Sequence, residues 1–178
     1  SNRAMSFQDP NETEPMMPPS APTTQDIADL LVLSALFEGL DPSDLSSLAE
    51  ECRVRRTYSG QALAEEGEKL DAVYLILRGS ARIVIESISP HFEMTLRKAR
   101  EGEVVGIAAI AGEDRSDATI LVSHPGEILV IPALAIRQLV DSSPEIGRLV
   151  MDNASRILAQ RLKAAYNRAM GMARAVRF

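Results

Sequence analysis

The sequence has 178 residues and a mass of 19.3 kDa, enough for one domain with a substantial core. Hydrophobic residues make up 46 % and charged residues 25 %, and no apolar run approaches the ~20 residues of a membrane span. The net charge of −6 argues against a general nucleic-acid-binding surface, and a single cysteine, Cys52, excludes an internal disulfide framework. Composition therefore predicts a soluble, cytoplasmic protein, with too few histidines for an obvious metal centre.

The first 22 residues differ in composition from the rest of the chain. They hold five of the ten prolines, mixed with Asn, Glu, Thr and Ser. Because proline interrupts both helices and sheet ladders, residues 1–22 are predicted to form a flexible tail. Residues 1–4 resemble an expression scar before Met5 and are left out of the fold reasoning.

Two helices are predicted after the tail. Residues 23–26 read Thr-Thr-Gln-Asp, a capping signal, and apolar residues follow at helical spacing until Gly39 ends the run. A second, short helix begins with Asp41 as its cap and Pro42 at its first position.

Short strands are predicted through the middle of the chain. Runs rich in β-branched and aliphatic residues occur at 54–58, 72–77, 81–86, 94–99, 118–123 and 127–131, separated by turn signals such as Arg78-Gly79 and Pro125-Gly126. No helix of crossover length lies between them, which disfavours a parallel sheet. The pattern predicts that residues 23–143 form an antiparallel jelly-roll barrel preceded by helices.

The end of the chain is predicted to be helical again. One helix begins near Pro132, and a longer one begins at Ser143-Pro144-Glu145 and extends to Met172. One of its apolar stripes, formed by residues 146, 150, 154 and 157, is expected to pack on the barrel. A heptad seam is formed by Met151, Ser155, Leu158, Leu162, Ala165, Ala169, Met172 and Val176. We therefore predict that residues 144–178 act as a lid and as the contact of a homodimer.

A stretch of small apolar residues interrupts the strand pattern at 102–119. A helical turn over residues 107–111, between Gly106 and Gly112, would direct free backbone N–H groups at one spot, as in anion sites. The alternative is a turn that merely packs in the core.

The order of these segments resembles the cyclic nucleotide-binding domain family. The residues that carry the resemblance are Leu36-Phe37-Glu38-Gly39-Leu40, Gly60, Glu66-Gly67-Glu68, Asp71, Tyr74, Gly79, Gly102-Glu103-Val104-Val105-Gly106, Ala118-Thr119, Ile131-Pro132 and Pro144-Glu145-Ile146. The resemblance covers roughly residues 25–170. It implies a non-catalytic regulatory sensor that signals through movement of its C-terminal helix and dimerises through it, with cyclic AMP or cyclic GMP as ligand and no other cofactor.

The resemblance also implies a set of ligand-binding residues. They are Gly106, Ile107, Ala108, Ala109, Arg115, Ser116, Ala118 and Thr119, with Arg156 and Gln160 as residues of a lid. The family motif has a Glu that binds the ribose where this chain has Ile107. Its phosphate-binding Arg falls on Ser116, with Arg115 one residue early; a bulge would aim Arg115 inward.

These departures predict weak or altered nucleotide binding. Each charge-assisted hydrogen bond contributes about 1.5–3 kcal/mol, so loss of the Glu costs roughly tenfold to a hundredfold in affinity. The acidic residues Glu113, Asp114 and Asp117 outnumber Arg115 in the loop, which disfavours an anion.

Other functions remain open from the sequence. One is an interaction module that kept the barrel and lost the ligand. Another is nucleic-acid binding by the terminal helix, because seven basic residues and one acidic residue lie from Arg148 onward. We expect no helix-turn-helix domain after Met172, and no membrane segment. His91 and His124 both lie in predicted turns and do not indicate a metal site. Cys52 is expected to be a small buried apolar residue. The sequence contains no catalytic motif.

Overall fold

Helices flank a run of antiparallel strands in the computed structural model, which describes residues 21–86, 93–112 and 115–175. The helices are α1 (Thr24–Val32), α2 (Ser46–Glu51), α3 (Ala133–Ser142) and α4 (Pro144–Ala175), and 3-10 turns span Ala35–Phe37, Pro42–Leu45 and Ile107–Ala111. The strands are β1 (Arg53–Thr57), β2 (Ala62–Ala64), β3 (Ala72–Glu86), β4 (Glu93–Ala99), β5 (Val104–Val105) and β6 (Thr119–Pro132). The predicted tail lies outside the described residues as far as residue 20.

The first helix begins where the sequence predicts and ends earlier. Thr23 caps α1 reciprocally with Asp26: the Thr23 hydroxyl accepts from the Asp26 amide at 3.1 Å, and the Asp26 carboxylate accepts from the Thr23 amide at 2.8 Å. The prediction that Gly39 ends this helix is wrong. Ser34 begins a separate 3-10 turn, because its side chain accepts a hydrogen bond from the Leu36 amide at 3.2 Å.

Every strand pair is antiparallel, which confirms the predicted jelly-roll class. The strand order is β1-β6-β3-β4, with β2 paired to β6 and β5 paired to β3. The two longest strands, β3 and β6, run side by side along their whole length. The shorter strands pair with these two: β1 and β2 with β6, and β4 and β5 with β3.

The predicted turns at residues 78–79 and 125–126 are wrong, because β3 and β6 continue through them. The β3–β6 register shifts near Arg78 and Ser80, and Gly79 has a φ of +90°. A Cβ on Gly126 would lie 2.2 Å from the Arg78 carbonyl oxygen, so the two chains approach more closely than any side chain allows. Glycine here permits a bulge and a bend within one strand rather than a reversal of the chain.

Two apolar clusters fill the domain. One lies within the sheet and includes Tyr74, whose hydroxyl donates to the Leu63 carbonyl at 2.8 Å. The other lies between the sheet and the helices and includes Phe37, Leu129 and Ile136, each fully buried. The second cluster joins the N-terminal helices to the C-terminal helices.

The final helix begins against α3 and is 32 residues long, or about 48 Å. Gly147 permits the close approach of the two helices, since a Cβ there would lie 2.4 Å from the Val140 carbonyl oxygen. Val150 and Ala154 are buried, with Ile146 and Ile157 packed against the same cluster, as the stripe predicted. Among the described residues, none of the helices combines the length and the hydrophobicity of a membrane span.

Candidate functional site

The predicted turn between Gly106 and Gly112 is present as the 3-10 turn Ile107–Ala111, here called the cassette turn. Both glycines have positive φ, +77° and +85°, a backbone conformation that side chains disfavour. A Cβ on Gly106 would also lie 2.9 Å from the Ala72 carbonyl oxygen. The turn therefore depends on glycine at its start, where the chain passes close to β3.

The side chains of residues 107–110 of the cassette turn pack in the helix-side core, whereas Ala111 is exposed. Ile107, Ala109 and Ile110 are each at most 7 % exposed, and Ala108 packs against the same cluster. At the position where the family motif has its ribose-binding Glu, this chain thus places an apolar core contact. The structure agrees with the alternative reading of a turn that packs in the core.

The segment 115–119 is joined to the loop at residues 66–69 by hydrogen bonds. The Arg115 guanidinium donates to the Gly67 carbonyl at 2.6 Å. The Ser116 amide donates to the Glu68 carbonyl at 2.9 Å, and the Gly67 amide donates to the Ser116 carbonyl at 2.7 Å. Arg115 is exposed, and its side chain reaches back to this loop.

The two hydroxyl groups of this segment also have partners within the protein. The buried Ser116 hydroxyl donates to the Ala118 carbonyl at 2.5 Å, and the Thr119 hydroxyl accepts from the Glu66 amide at 3.0 Å. The contacts of Arg115 and Ser116 use donors that an anion would need, whereas Thr119 only accepts. Binding of an anion by Arg115 or Ser116 would therefore exchange existing hydrogen bonds for new ones, which lowers the net gain.

A cavity of about 750 Å³ lies beside Thr119. Four glutamates line it, Glu65, Glu66, Glu86 and Glu93, and the described lining includes no basic residue. Glu93 is paired with Arg82 from β3. Since carboxylates repel a phosphate, this surface is unfavourable for an anion. Residues 113 and 114, whose charges entered the prediction, lie outside the described residues.

The two predicted lid residues lie apart from the cassette turn. Arg156 forms an ion pair with Glu38 at 3.4 Å, and both side chains are mostly exposed. Gln160 lines a separate cleft between α4 and β4. The structure thus brings Arg115, Ser116 and Thr119 together around one loop and places Arg156 and Gln160 elsewhere.

Two residues that the sequence did not single out hold the helices in place, one at the site and one at the N-terminal segment. Arg137 of α3 donates to the Ala109 carbonyl at 2.9 Å, which ties the cassette turn to α3. Asn153 of α4 is 2 % exposed and donates to the carbonyls of Leu36 and Glu38 at 3.2 and 2.9 Å. Asparagine in the apolar docking stripe was the available signal for the second contact.

The cysteine and histidine side chains show no arrangement for catalysis or metal binding among the described residues. Cys52 is buried, as predicted; burial, with a smaller contribution from Glu51, raises the pKa of its thiol to about 12. The Nδ1 atom of His124 lies 2.8 Å from the Ser80 hydroxyl, and His91 is outside the described residues. Over residues 21–86, 93–112 and 115–175, no three His, Cys, Asp or Glu side chains form a group that could hold a metal.

The antiparallel roll with a short turn between two glycines and a long closing helix defines the class of the protein. The family model described as the cyclic nucleotide-binding domain matches residues 54–143, half of the chain. The chain therefore belongs to the cyclic nucleotide-binding domain family.

Solved structures share this fold. A cyclic nucleotide-binding domain from Methylobacillus flagellatus has a TM-score of 0.69 at 21 % identity and covers 84 % of this chain and 83 % of its own. The regulatory domain of Toxoplasma gondii PKA, solved with cAMP, has a TM-score of 0.62 at 19 % identity, covering 75 % of this chain and 50 % of its own. The Thermus thermophilus catabolite activator protein has a TM-score of 0.63 at 25 % identity, with coverages of 79 % and 63 %.

Curated relatives are 28 % identical to this chain over the residues that align. The cAMP-activated global transcriptional regulator CRP of Pasteurella multocida is 28 % identical over 125 residues, 70 % of this chain and 57 % of that protein. Lysophospholipase nte1 of Aspergillus terreus is 28 % identical over 141 residues, 79 % of this chain and 9 % of that protein. The chain thus spans only part of the length of these relatives.

Proposed function

We propose that this chain is a non-catalytic, cytoplasmic regulatory module that signals through movement of α4, and that cyclic AMP and cyclic GMP bind to it weakly. Membership of the family supports the regulatory role. The observation that carries the proposal is the hydrogen bond from Arg137 to the Ala109 carbonyl, because it connects the cassette turn with the helices.

The path of coupling consists of short, packed steps. The cassette turn contacts α3 through Arg137, and α3 packs closely on the start of α4 at Gly147. The second end of the path is Asn153, which holds α4 to the N-terminal helices. A ligand at the cassette turn would change the populations of two positions of α4. The size of the change depends on how much more tightly the ligand binds when α4 is in one position than in the other.

Weak nucleotide binding follows from the chemistry of the site. Ile107 offers the ribose no acceptor, Arg115 is bonded to Gly67, and glutamates line the neighbouring cavity. By the energies of the missing bonds, the dissociation constant rises by roughly two to four orders of magnitude above that of an intact site.

Isothermal titration calorimetry with cyclic AMP and cyclic GMP tests this. We expect no saturation below about 100 µM, since only weak contacts remain. A matched variant, Glu65→Gln with Glu86→Gln, removes two charges whose side chains make no hydrogen bond in the described part of the chain. It should bind either nucleotide a few-fold more tightly, by about 0.5 kcal/mol per charge. Low-micromolar binding by the wild type would refute weak binding.

A homodimer through α4 is the second part of the proposal. Beyond Ile157 the described helix is exposed except at Arg161. Its exposed apolar residues include Leu158, Leu162, Tyr166, Met170 and Met172, between 47 % and 63 % exposed. Such a contiguous apolar face is unusual for a monomer, and a second copy of the same helix would cover it. The alternative function, an interaction module without nucleotide binding, would use the same dimer. We therefore expect the dimer to form with or without a nucleotide.

Light scattering after size-exclusion chromatography tests the dimer. Leu158→Asp with Leu162→Asp should convert a dimer into a monomer, because it places charges in the seam. Leu134→Asp is the control, since Leu134 is also exposed, at 60 %, but lies on α3. A monomeric wild type, or a dimer that survives the double substitution, contradicts this interface.

A further inference from the structure

A cleft of about 350 Å³ separates the middle of α4 from the sheet, away from the cassette turn. Three arginines line it, Arg97 from β4 and Arg161 and Arg168 from α4, together with one acidic residue, Glu103. Lys98 follows Arg97 on the same strand, so its side chain points to the other face of the sheet. The chain as a whole has a net charge of −6, so this concentration of positive charge is local.

The single carboxylate of the cleft is already engaged. Glu103 accepts from the Arg97 guanidinium at 2.9 Å and from the Arg100 amide at 2.7 Å. Arg161 donates to the Val104 carbonyl, and it takes part in no ion pair among the described residues. Burial, and then the charge of Arg97, lowers the pKa of Arg161 to about 10.

A half-buried guanidinium beside a second guanidinium is an unfavourable arrangement, and the nearby carboxylate of Glu103, which opposes the decrease in pKa, is shared with Arg97. The Val104 carbonyl accepts a hydrogen bond from Arg161, but it carries no net charge to balance the positive charge of the guanidinium. Arg168 lies two turns further along α4 and lines the same cleft, so that the helix offers two cations on one face. Arg97 approaches from the opposite wall, where it pairs with Glu103.

We propose that this cleft binds a small phosphate-bearing molecule that bridges β4 and α4. Arginine forks match phosphate oxygens, and an anion at this point would contact cations from both walls. Ala35, Val104, Ile157 and Ala164 add apolar surface for the rest of a small molecule. Val104 in the cleft belongs to β5, which leads directly into the cassette turn. A ligand in the cleft would therefore hold α4 next to the segment that precedes the cassette turn, without contacting the turn itself.

Calorimetry with inorganic pyrophosphate at low salt tests the cleft. We expect saturable binding that weakens as salt is raised, and a loss of at least about tenfold in Arg161→Gln with Arg168→Gln. The control is Arg148→Gln with Arg174→Gln, which removes the same charge from the same helix outside the cleft. Arg168→Gln alone, at an exposed position, should also weaken binding and serves if the double variant fails to fold.

The outcome is independent of the proposed nucleotide site. Arg115→Gln should leave pyrophosphate binding unchanged, and pyrophosphate should slow hydrogen exchange in residues 158–168 of α4. The absence of pyrophosphate binding up to about 10 mM, at which a site weaker than ~3 kcal/mol would remain empty, would overturn the cleft proposal alone. Equal losses in the cleft pair and the control pair would do the same, since they would indicate general charge attraction.

Discussion

Asn153 offers the sharpest test of how α4 is held to the domain. Its amide nitrogen donates to the carbonyls of Leu36 and Glu38 at 3.2 and 2.9 Å, and the residue is 2 % exposed. In Asn153→Ala both carbonyls lose their donor, and the one on Leu36 is buried. Two lost hydrogen bonds and one unpaired buried acceptor together lower the free energy of unfolding by about 2–4 kcal/mol.

The assay is urea unfolding followed by circular dichroism at one protein concentration. In thermal unfolding the same loss should lower Tm by about 5–10 °C for a domain of this size. Ser155→Ala is the control, since Ser155 is exposed two positions along the same helix. If Asn153→Ala changed the free energy of unfolding by less than about 0.5 kcal/mol, the typical effect of a surface substitution, the reasoning on this anchor would be refuted.

Three further predictions follow from contacts of single residues. With the pKa of its thiol raised to about 12, Cys52 should react with a disulfide reagent at pH 8 only after unfolding; rapid labelling of the native protein would contradict its burial. Gly126→Ala places a Cβ 2.2 Å from a carbonyl oxygen of the facing strand and should destabilise the domain by about 3 kcal/mol. The control, Gly171→Ala, has open space around the new Cβ and should be neutral or stabilising. Equal Tm values for the two variants would exclude the close approach. Arg137→Ala removes the bond to the Ala109 carbonyl and should speed hydrogen exchange in the cassette turn about tenfold, while Arg148→Ala should leave it unchanged; unaltered exchange in both would remove this link.

Local signals predicted the elements that begin with a cap or depend on glycine. The capping residues at Thr23, the starts at Pro132 and Pro144, and the turn between Gly106 and Gly112 were all readable, because each involves neighbours within four residues. The union of predicted strands into β3 and β6 was not readable. Whether Gly126 reverses the chain or bends it depends on the facing strand, 48 residues away at Arg78.

The sequence proposes residues for the candidate site, but it does not predict their contacts. The departure at Ile107 is visible in the sequence, whereas the bonds that engage Arg115 and Thr119 reach a loop about 50 residues earlier. The basic cleft was hidden for the same reason, since Arg97 and Arg161 meet only after folding. Periodicity locates an apolar stripe, but it does not show which polar residues lie opposite.

A nuclear magnetic resonance titration of the ¹⁵N-labelled protein with cyclic AMP gives the nucleotide affinity residue by residue. We predict small shifts without saturation below about 100 µM at Gly106 and residues 115–119, because Ile107 offers no acceptor and Arg115 and Ser116 already donate to carbonyls within the protein. Saturation at low micromolar concentration, with the amides of α4 shifting along the same curve, would contradict the altered site.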